Sequence, residues 1–167
     1  MRMLEPMLNE LRQEAATTRR VLERVPADKL SWKPHQKSMS LGQLALHVAS
    51  IPSQVAGLAQ LEEFDASEAN FDPPEAKSVE EILSALDVSL GTAEDYVASL
   101  DDKTAAADWR LTSRGKEVFT MPRVGLLRTI MLNHWYHHRG QLSVYLRLLD
   151  LPVPAIYGRS ADENPFG

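Results

Sequence analysis

The chain contains no cysteine, and this absence excludes several classes of chemistry. Disulfides, thiolate nucleophiles, iron–sulfur clusters and cysteine-based zinc sites all need that side chain. The chain also lacks an apolar run of about 20 residues, the length that a membrane span requires, and its first residues lack the apolar core of a signal peptide. We therefore predict a cytoplasmic protein whose 167 residues form one domain, residues 1–167.

Basic residues are too few to give the chain a positive charge. Lysine and arginine number 18 against 23 aspartates and glutamates, for a net charge of −5 and an isoelectric point near 5.5. Proteins that bind nucleic acids or anionic membranes need a basic face to neutralise phosphates. The charge balance therefore argues against both kinds of partner. The partner that we expect instead is a small-molecule substrate.

Four stretches repeat apolar residues every three or four positions, which is typical of amphipathic helices. Ser40 and Ser78 are good N-caps for the second and third stretches, and Ser78 with Glu81 has the spacing of a capping box. Pro52 lies inside the second and is predicted to kink it. These stretches predict an all-α fold, a four-helix bundle with crossover connections. The helices are expected over residues 4–25, 41–62, from 78 to about 97, and 122–149.

The segments between the predicted helices differ in character. Residues 63–77 form an acidic linker, and residues 151–167 form a proline-containing tail that we expect to be irregular. Around Ser113, Arg114, Gly115 and Lys116, two short β-prone stretches flank a turn, which predicts a hairpin.

Three of the five histidines lie in one short stretch of the fourth helix. His134 and His138 are four residues apart, so they project from the same face about 6 Å from each other. Two imidazoles at that spacing can reach one metal ion, 2.0–2.1 Å from each nitrogen. His47 lies on the apolar stripe of the second helix and can supply a third nitrogen. We predict that His47, His134 and His138 bind one divalent transition metal ion; zinc, nickel, iron and manganese are the candidates.

An alternative is that these histidines are polar residues of a purely structural core. Burying three imidazoles without partners is costly, which favours the metal site. The arrangement differs from the His-Glu-x-x-His motif of metalloproteases, whose glutamate is the general base, because Trp135 occupies that position. Three histidines leave at least one coordination position open, as catalytic sites commonly do. No catalytic residue can be named from the sequence.

Other polar residues of the sequence are expected around this site or away from it. His137 is turned about 100° from His138 and is expected beside the site or at the surface, whereas His35 lies in a loop. Arg139 is expected to form a salt bridge on the outer helix face, with binding of an anionic substrate as the alternative. Gln141 and Tyr145 are closer to the inward face and are candidates to contact the histidines.

Together these motifs resemble the DinB-like family, which includes the YfiT-type proteins. The similarity rests on His-x-x-His-His-Arg-Gly-Gln in the fourth helix and on Leu-Gly-Gln-Leu-Ala-Leu-His in the second. It extends to Trp-Lys-Pro in the first linker and Leu-Pro-Val-Pro-Ala-Ile-Tyr-Gly in the tail. These motifs lie at residues 134–141, 41–47, 32–34 and 151–158.

The resemblance implies a four-helix bundle, a three-histidine metal site formed by His47, His134 and His138, and a homodimer. Members of the wider family include thiol-dependent transferases and isomerases, and metal-dependent hydrolases. It therefore implies a divalent-metal-dependent enzyme of the S-transferase or hydrolase type, with an external low-molecular-weight thiol as a further cofactor. A non-catalytic, stress-related metal-binding protein is the alternative.

Overall fold

The computed structural model describes residues 2–70 and 72–166. Phe71 in the predicted linker, and the terminal Met1 and Gly167, lie outside the described residues. The chain is mostly helical, and a π-helical segment interrupts the last long helix. The helices are α1 (Glu5–Leu22), α2 (Leu41–Gln60), α3 (Val79–Ser99), the short α4 (Asp102–Ala106), α5 (Arg123–Leu126), the π segment (Leu127–Asn133) and α6 (His134–Leu148).

The start of α2 is fixed by a reciprocal cap. The Ser40 hydroxyl accepts the backbone N–H of Gln43, and the Gln43 side chain accepts the N–H of Ser40. The N–H of Gly42 donates to the Leu30 carbonyl at 2.7 Å, and a Cβ on Gly42 would lie 3.1 Å from that oxygen. Glycine at this position therefore lets the first linker pack closely against α2.

The cap of α3 is less reciprocal than its sequence predicts. The Ser78 hydroxyl accepts the N–H of Glu81, as expected for a capping box. The Glu81 carboxylate, however, accepts the N–H of Lys77 rather than that of Ser78. One more backbone donor is satisfied just before the helix begins.

A small sheet corrects the all-α prediction. The predicted hairpin is confirmed as β2 (Asp108–Ser113) and β3 (Lys116–Pro122), joined by Arg114 and Gly115. Both turn residues have positive φ, 51° and 70°, as a type I′ turn requires. The strand that sequence analysis missed is β1 (Glu63–Asp65), which pairs in parallel with β2.

The missed strand lies within the predicted acidic linker, where neither length nor apolar alternation indicated a strand. It is held through Asp65, whose carboxylate accepts the N–H groups of Arg114 and Gly115 at 3.0 Å each. The contact is between residues far apart in sequence, so local patterns carry no sign of it.

The long helices share one core. Both α1 and α2 pack against α3 and against α6, and their apolar faces form one cluster of buried side chains. Trp109 and Trp135 are among the largest fully buried members. Within the described ranges, no helix has the length and hydropathy of a membrane span.

Candidate metal centre

The three predicted histidines meet on the surface between α2 and α6. The ring centroids of His134 and His138 are 4.4 Å apart, and those of His47 lie 4.6 Å from His138 and 5.3 Å from His134. Each residue offers a ring nitrogen, and these three atoms all lie within 4.8 Å of one another. All three side chains are half-buried. The predicted grouping is therefore present.

Hydrogen bonds determine which ring nitrogen of His134 and of His138 carries the proton and which one is left as a possible metal ligand. The Nδ1 of His138 faces the Gln141 amide oxygen at 2.7 Å, so that nitrogen carries the proton and donates it. The His134 ring hydrogen bonds to the backbone carbonyl of Ile130. A neutral imidazole has one N–H, so both rings have used theirs.

The two remaining nitrogens, Nε2 of His134 and Nε2 of His138, face each other at 2.6 Å. With both protons committed elsewhere, these are two lone pairs in contact, an arrangement that repels unless a cation lies beside them. Two nitrogens on one ion are about 3–4 Å apart when each bond is 2.0–2.1 Å. The observed nitrogen–nitrogen distances, from 2.6 Å up to at most 4.8 Å, lie on either side of that value. A donor set made only of imidazoles suits a divalent transition metal.

The electrostatics of the group also favour neutral ligands. Burial, reinforced by the neighbouring His138 and His134, lowers the pKa of His47 to about 4. Burial likewise lowers the pKa of His138 to about 4, although its bond to Gln141 opposes the shift. The pKa of His134 is lowered mainly by burial. All three rings are therefore neutral near pH 7, the form that binds metals.

Histidines are the only side chains of the candidate metal-binding group found among the described residues. In the part of the chain that the structure describes, the metal-binding group contains the three histidines alone, with no Asp or Glu added. A bound ion would keep its positive charge, and coordination positions not taken by His47, His134 and His138 would be left for water or a substrate.

The neighbouring polar residues divide into those that contact the group and those that do not. Gln141 contacts His138 as expected, and the exposed His137 lies with its ring centroid 5.0 Å from that of His138. Tyr145 instead donates to the Met39 carbonyl at 3.3 Å. His35 is exposed in its loop and accepts the N–H of Lys37.

Arg139 forms the predicted salt bridge, but its predicted place on the outer helix face is wrong. Its side chain is 2% exposed and lies 2.6 Å from the Glu14 carboxylate. It also donates to Thr18 at 3.1 Å and to the Tyr157 hydroxyl at 2.6 Å. The tail, expected to be irregular, supplies Tyr157 and so covers this pair. An anionic substrate has no access to Arg139 here.

Two features near the histidines gave no recognised sequence signal. The π segment ends at Asn133, directly before His134, and hydrogen-bond slippage of this kind leaves no compositional pattern. Trp135 donates its indole N–H to the Val48 carbonyl at 2.8 Å. This bond joins the residue after His134 to the residue after His47.

Comparisons with known proteins agree with the fold and with the family resemblance. The profile of the DinB family matches residues 1–164. The uncharacterized protein YrdA of Bacillus subtilis (strain 168) is 25% identical over 160 residues, covering 96% of this chain and 91% of YrdA.

Two crystal structures show the same fold. A DinB-like protein from Bacillus cereus ATCC 10987 superposes with a TM-score of 0.69 at 24% identity, and the DinB-like protein YjoA from Bacillus subtilis with a TM-score of 0.69 at 20% identity. Each match covers 92% of this chain and 97% of the other. From the profile match over nearly its whole length, the chain belongs to the DinB family.

Proposed function

We propose that His47, His134 and His138 bind one divalent transition metal ion, and that the chain is a metal-dependent enzyme acting on a small molecule. The observation that carries the proposal is the pair of Nε2 atoms of His134 and His138, which face each other while both N–H groups are engaged elsewhere. Such a pair is stabilised by a cation between the rings.

When bound, such an ion lowers the pKa of a coordinated thiol or water and so supplies a nucleophile near neutral pH. The protein's own contribution is to hold the ligands. Gln141 fixes the tautomer of His138, and the Ile130 carbonyl fixes that of His134. The side chains of all three histidines are half-buried, so the group is partly exposed to solvent. These features support S-transfer from a low-molecular-weight thiol or hydrolysis of a small electrophile.

A non-catalytic metal-binding role needs a site closed by a fourth protein ligand. Among residues 2–70 and 72–166 the group has only its three histidines, which favours the enzyme. The cytoplasmic location and the homodimer stay predictions. Val144 and Leu148 are exposed on α6 and are apolar side chains that a dimer contact would bury; the mass in solution tests this.

Metal binding is tested first, on untagged protein titrated with Zn²⁺ and Ni²⁺ in a calorimeter. We expect one ion per chain for the wild type and for His137→Ala, which removes an exposed neighbouring imidazole. We expect loss of binding for His138→Ala. Equal binding by the His137 and His138 variants would overturn the three-histidine site.

Activity is tested on the same proteins, loaded with metal and supplied with thiols and electrophilic acceptors, or with activated esters. Turnover by the wild type and by His137→Ala, but not by His138→Ala, is expected. A wild type that binds the ion yet shows no turnover above His138→Ala with any acceptor would favour the non-catalytic alternative.

A further inference from the structure

Helix α2 contains a proline that leaves a carbonyl without its usual partner. In a regular helix the N–H of residue 52 would donate to the carbonyl of Val48. Pro52 has no N–H, yet α2 continues through it from Leu41 to Gln60. Both Val48 and Trp135 are fully buried, so no water can take the place of the missing donor.

The donor that replaces it comes from α6. The Trp135 indole N–H lies 2.8 Å from the Val48 carbonyl. This contact ties α2 to α6 at one point, and on each helix the next residue back is a histidine of the metal centre, His47 or His134. A displacement of one helix along the other would break the bond and separate these rings.

We propose that Trp135 is a positioning residue for the metal centre, acting through the Val48 carbonyl that Pro52 leaves free. The inference rests on the proposed metal binding for its function. It also has a structural consequence that holds without metal, since the indole bond sets how far His47 lies from His138.

The chain offers a matched control for this bond. Trp109 is also fully buried and also donates its indole N–H to an α2 carbonyl, that of Leu58, at 3.1 Å. Leu58 lies three helical turns beyond His47. Trp109→Phe therefore removes the same kind of bond to the same helix, away from the histidines.

A double variant separates positioning from mere stability. Pro52→Ala restores a backbone N–H that can satisfy the Val48 carbonyl within α2. In that background Trp135→Phe leaves no buried carbonyl without a donor, but the link between the two helices is gone. A structural role predicts that metal affinity recovers in the double variant, whereas a positioning role predicts that it stays weak.

The test uses full-length wild type, Trp135→Phe, Trp109→Phe and Pro52→Ala/Trp135→Phe. The first readout is made without metal, as the nuclear Overhauser effect between the ring protons of His47 and His138, whose centroids lie 4.6 Å apart. We expect this signal to weaken in both Trp135 variants and to persist in Trp109→Phe, with melting temperatures recorded for each.

The second readout is the affinity for Zn²⁺. We expect a loss of about 10–100-fold in both Trp135 variants, the range found for groups that orient metal ligands, and wild-type affinity in Trp109→Phe. An unchanged ring signal in Trp135→Phe, or full recovery of affinity in the double variant, would overturn the proposal. Absence of Zn²⁺ binding by the wild type would instead defeat the metal site, and the ring signal alone would then decide whether Trp135 positions the histidines.

Discussion

Helix α6 carries two polar clusters on different sides, and they are built in opposite ways. Toward α1, Arg139 is enclosed by Glu14, Thr18 and Tyr157, and every charge has a partner of opposite sign or a hydrogen-bonding hydroxyl. Toward α2, His134 and His138 present the same kind of atom to each other. A completed network stabilises the fold, whereas an incomplete one is suited to receive a ligand.

The Arg139 cluster is also covered by aromatic rings. The guanidinium lies 5.2 Å from the ring centroid of Tyr136 and 5.3 Å from that of Tyr157, within the range of cation–π attraction. The Tyr157 hydroxyl donates to Glu14 at 3.0 Å. By contrast, the three histidine side chains are only half-buried, and among the residues described no aromatic ring is seen to cover them as Tyr136 and Tyr157 cover Arg139.

The largest loss of stability is expected from a change in the cluster around Arg139. Arg139→Ala leaves the Glu14 carboxylate buried without its cation, and we expect a loss of about 3–5 kcal/mol of unfolding free energy. Urea denaturation followed by circular dichroism measures it. Arg12→Ala, which breaks the exposed pair with Glu94, should cost no more than about 1 kcal/mol. Comparable losses in the two variants would remove the contrast between the clusters.

A smaller effect, on metal affinity, is expected when Gln141, the hydrogen-bond acceptor of His138, is replaced. Gln141→Leu takes away the acceptor for Nδ1–H of His138, so the ring can adopt the tautomer whose Nε2 is protonated. Zn²⁺ affinity should fall about 10–100-fold, measured by calorimetry. The tautomer can be read directly from the ¹⁵N shifts of the ring. Gln13→Leu, on the exposed side of α1, is the matched control and should bind normally.

Acid should lower the unfolding free energy of the metal-free protein, because His47 and His138 take up protons more readily when the chain is unfolded. The folded-state pKa of His47 and of His138 is about 4, below the ordinary value near 6.5. Between these values the unfolded chain binds more protons, so stability falls as the pH drops from about 6.5 to about 4. Denaturation at intervals across this window measures the slope. His47→Leu should flatten it, and an unaltered slope would contradict the assignment.

The smallest effect is expected from removing a histidine of the metal-free group. His138→Leu eliminates one of two facing lone pairs, so we expect the unfolding free energy to stay within about 1 kcal/mol of wild type, the net worth of an ordinary hydrogen bond, or to rise. Thermal melts with and without Zn²⁺ test this: Zn²⁺ should raise the melting temperature of the wild type but not of the variant. A large loss of stability in the metal-free variant would show that His138 belongs to a completed core instead.

The elements that the sequence could predict are those set by local pattern. The long helices follow from apolar spacing, the start of α2 from Ser40, and the hairpin from the turn at Arg114 and Gly115. The pairing of His134 with His138 follows from helix geometry alone. His47 is predictable because its place on the apolar stripe of α2 turns it toward the other helices.

The elements that the sequence could not predict depend on contacts between distant segments. β1 exists because Asp65 reaches the hairpin turn, and Arg139 is buried because the tail brings Tyr157 over it. An arginine near a helix surface has the same local pattern whether or not another segment covers it. The role of Trp135 similarly depends on the carbonyl that Pro52 frees on a different helix.

The π segment sets how this family member tolerates insertions and deletions. Upstream of it, Arg123 donates to the carbonyls of Ala59 and Leu61; downstream, Trp135 donates to that of Val48. The chain is thus tied to α2 on both sides of the π segment, at Arg123 and at Trp135, and a π turn accommodates more chain than an α turn. Deleting one residue between the ties would give a more regular helix but rotate His134 and His138 by about 100° relative to Arg123. Substitutions at the exposed positions Arg128, Thr129 and Asn133 should therefore be accepted far more readily than any change of length in this segment.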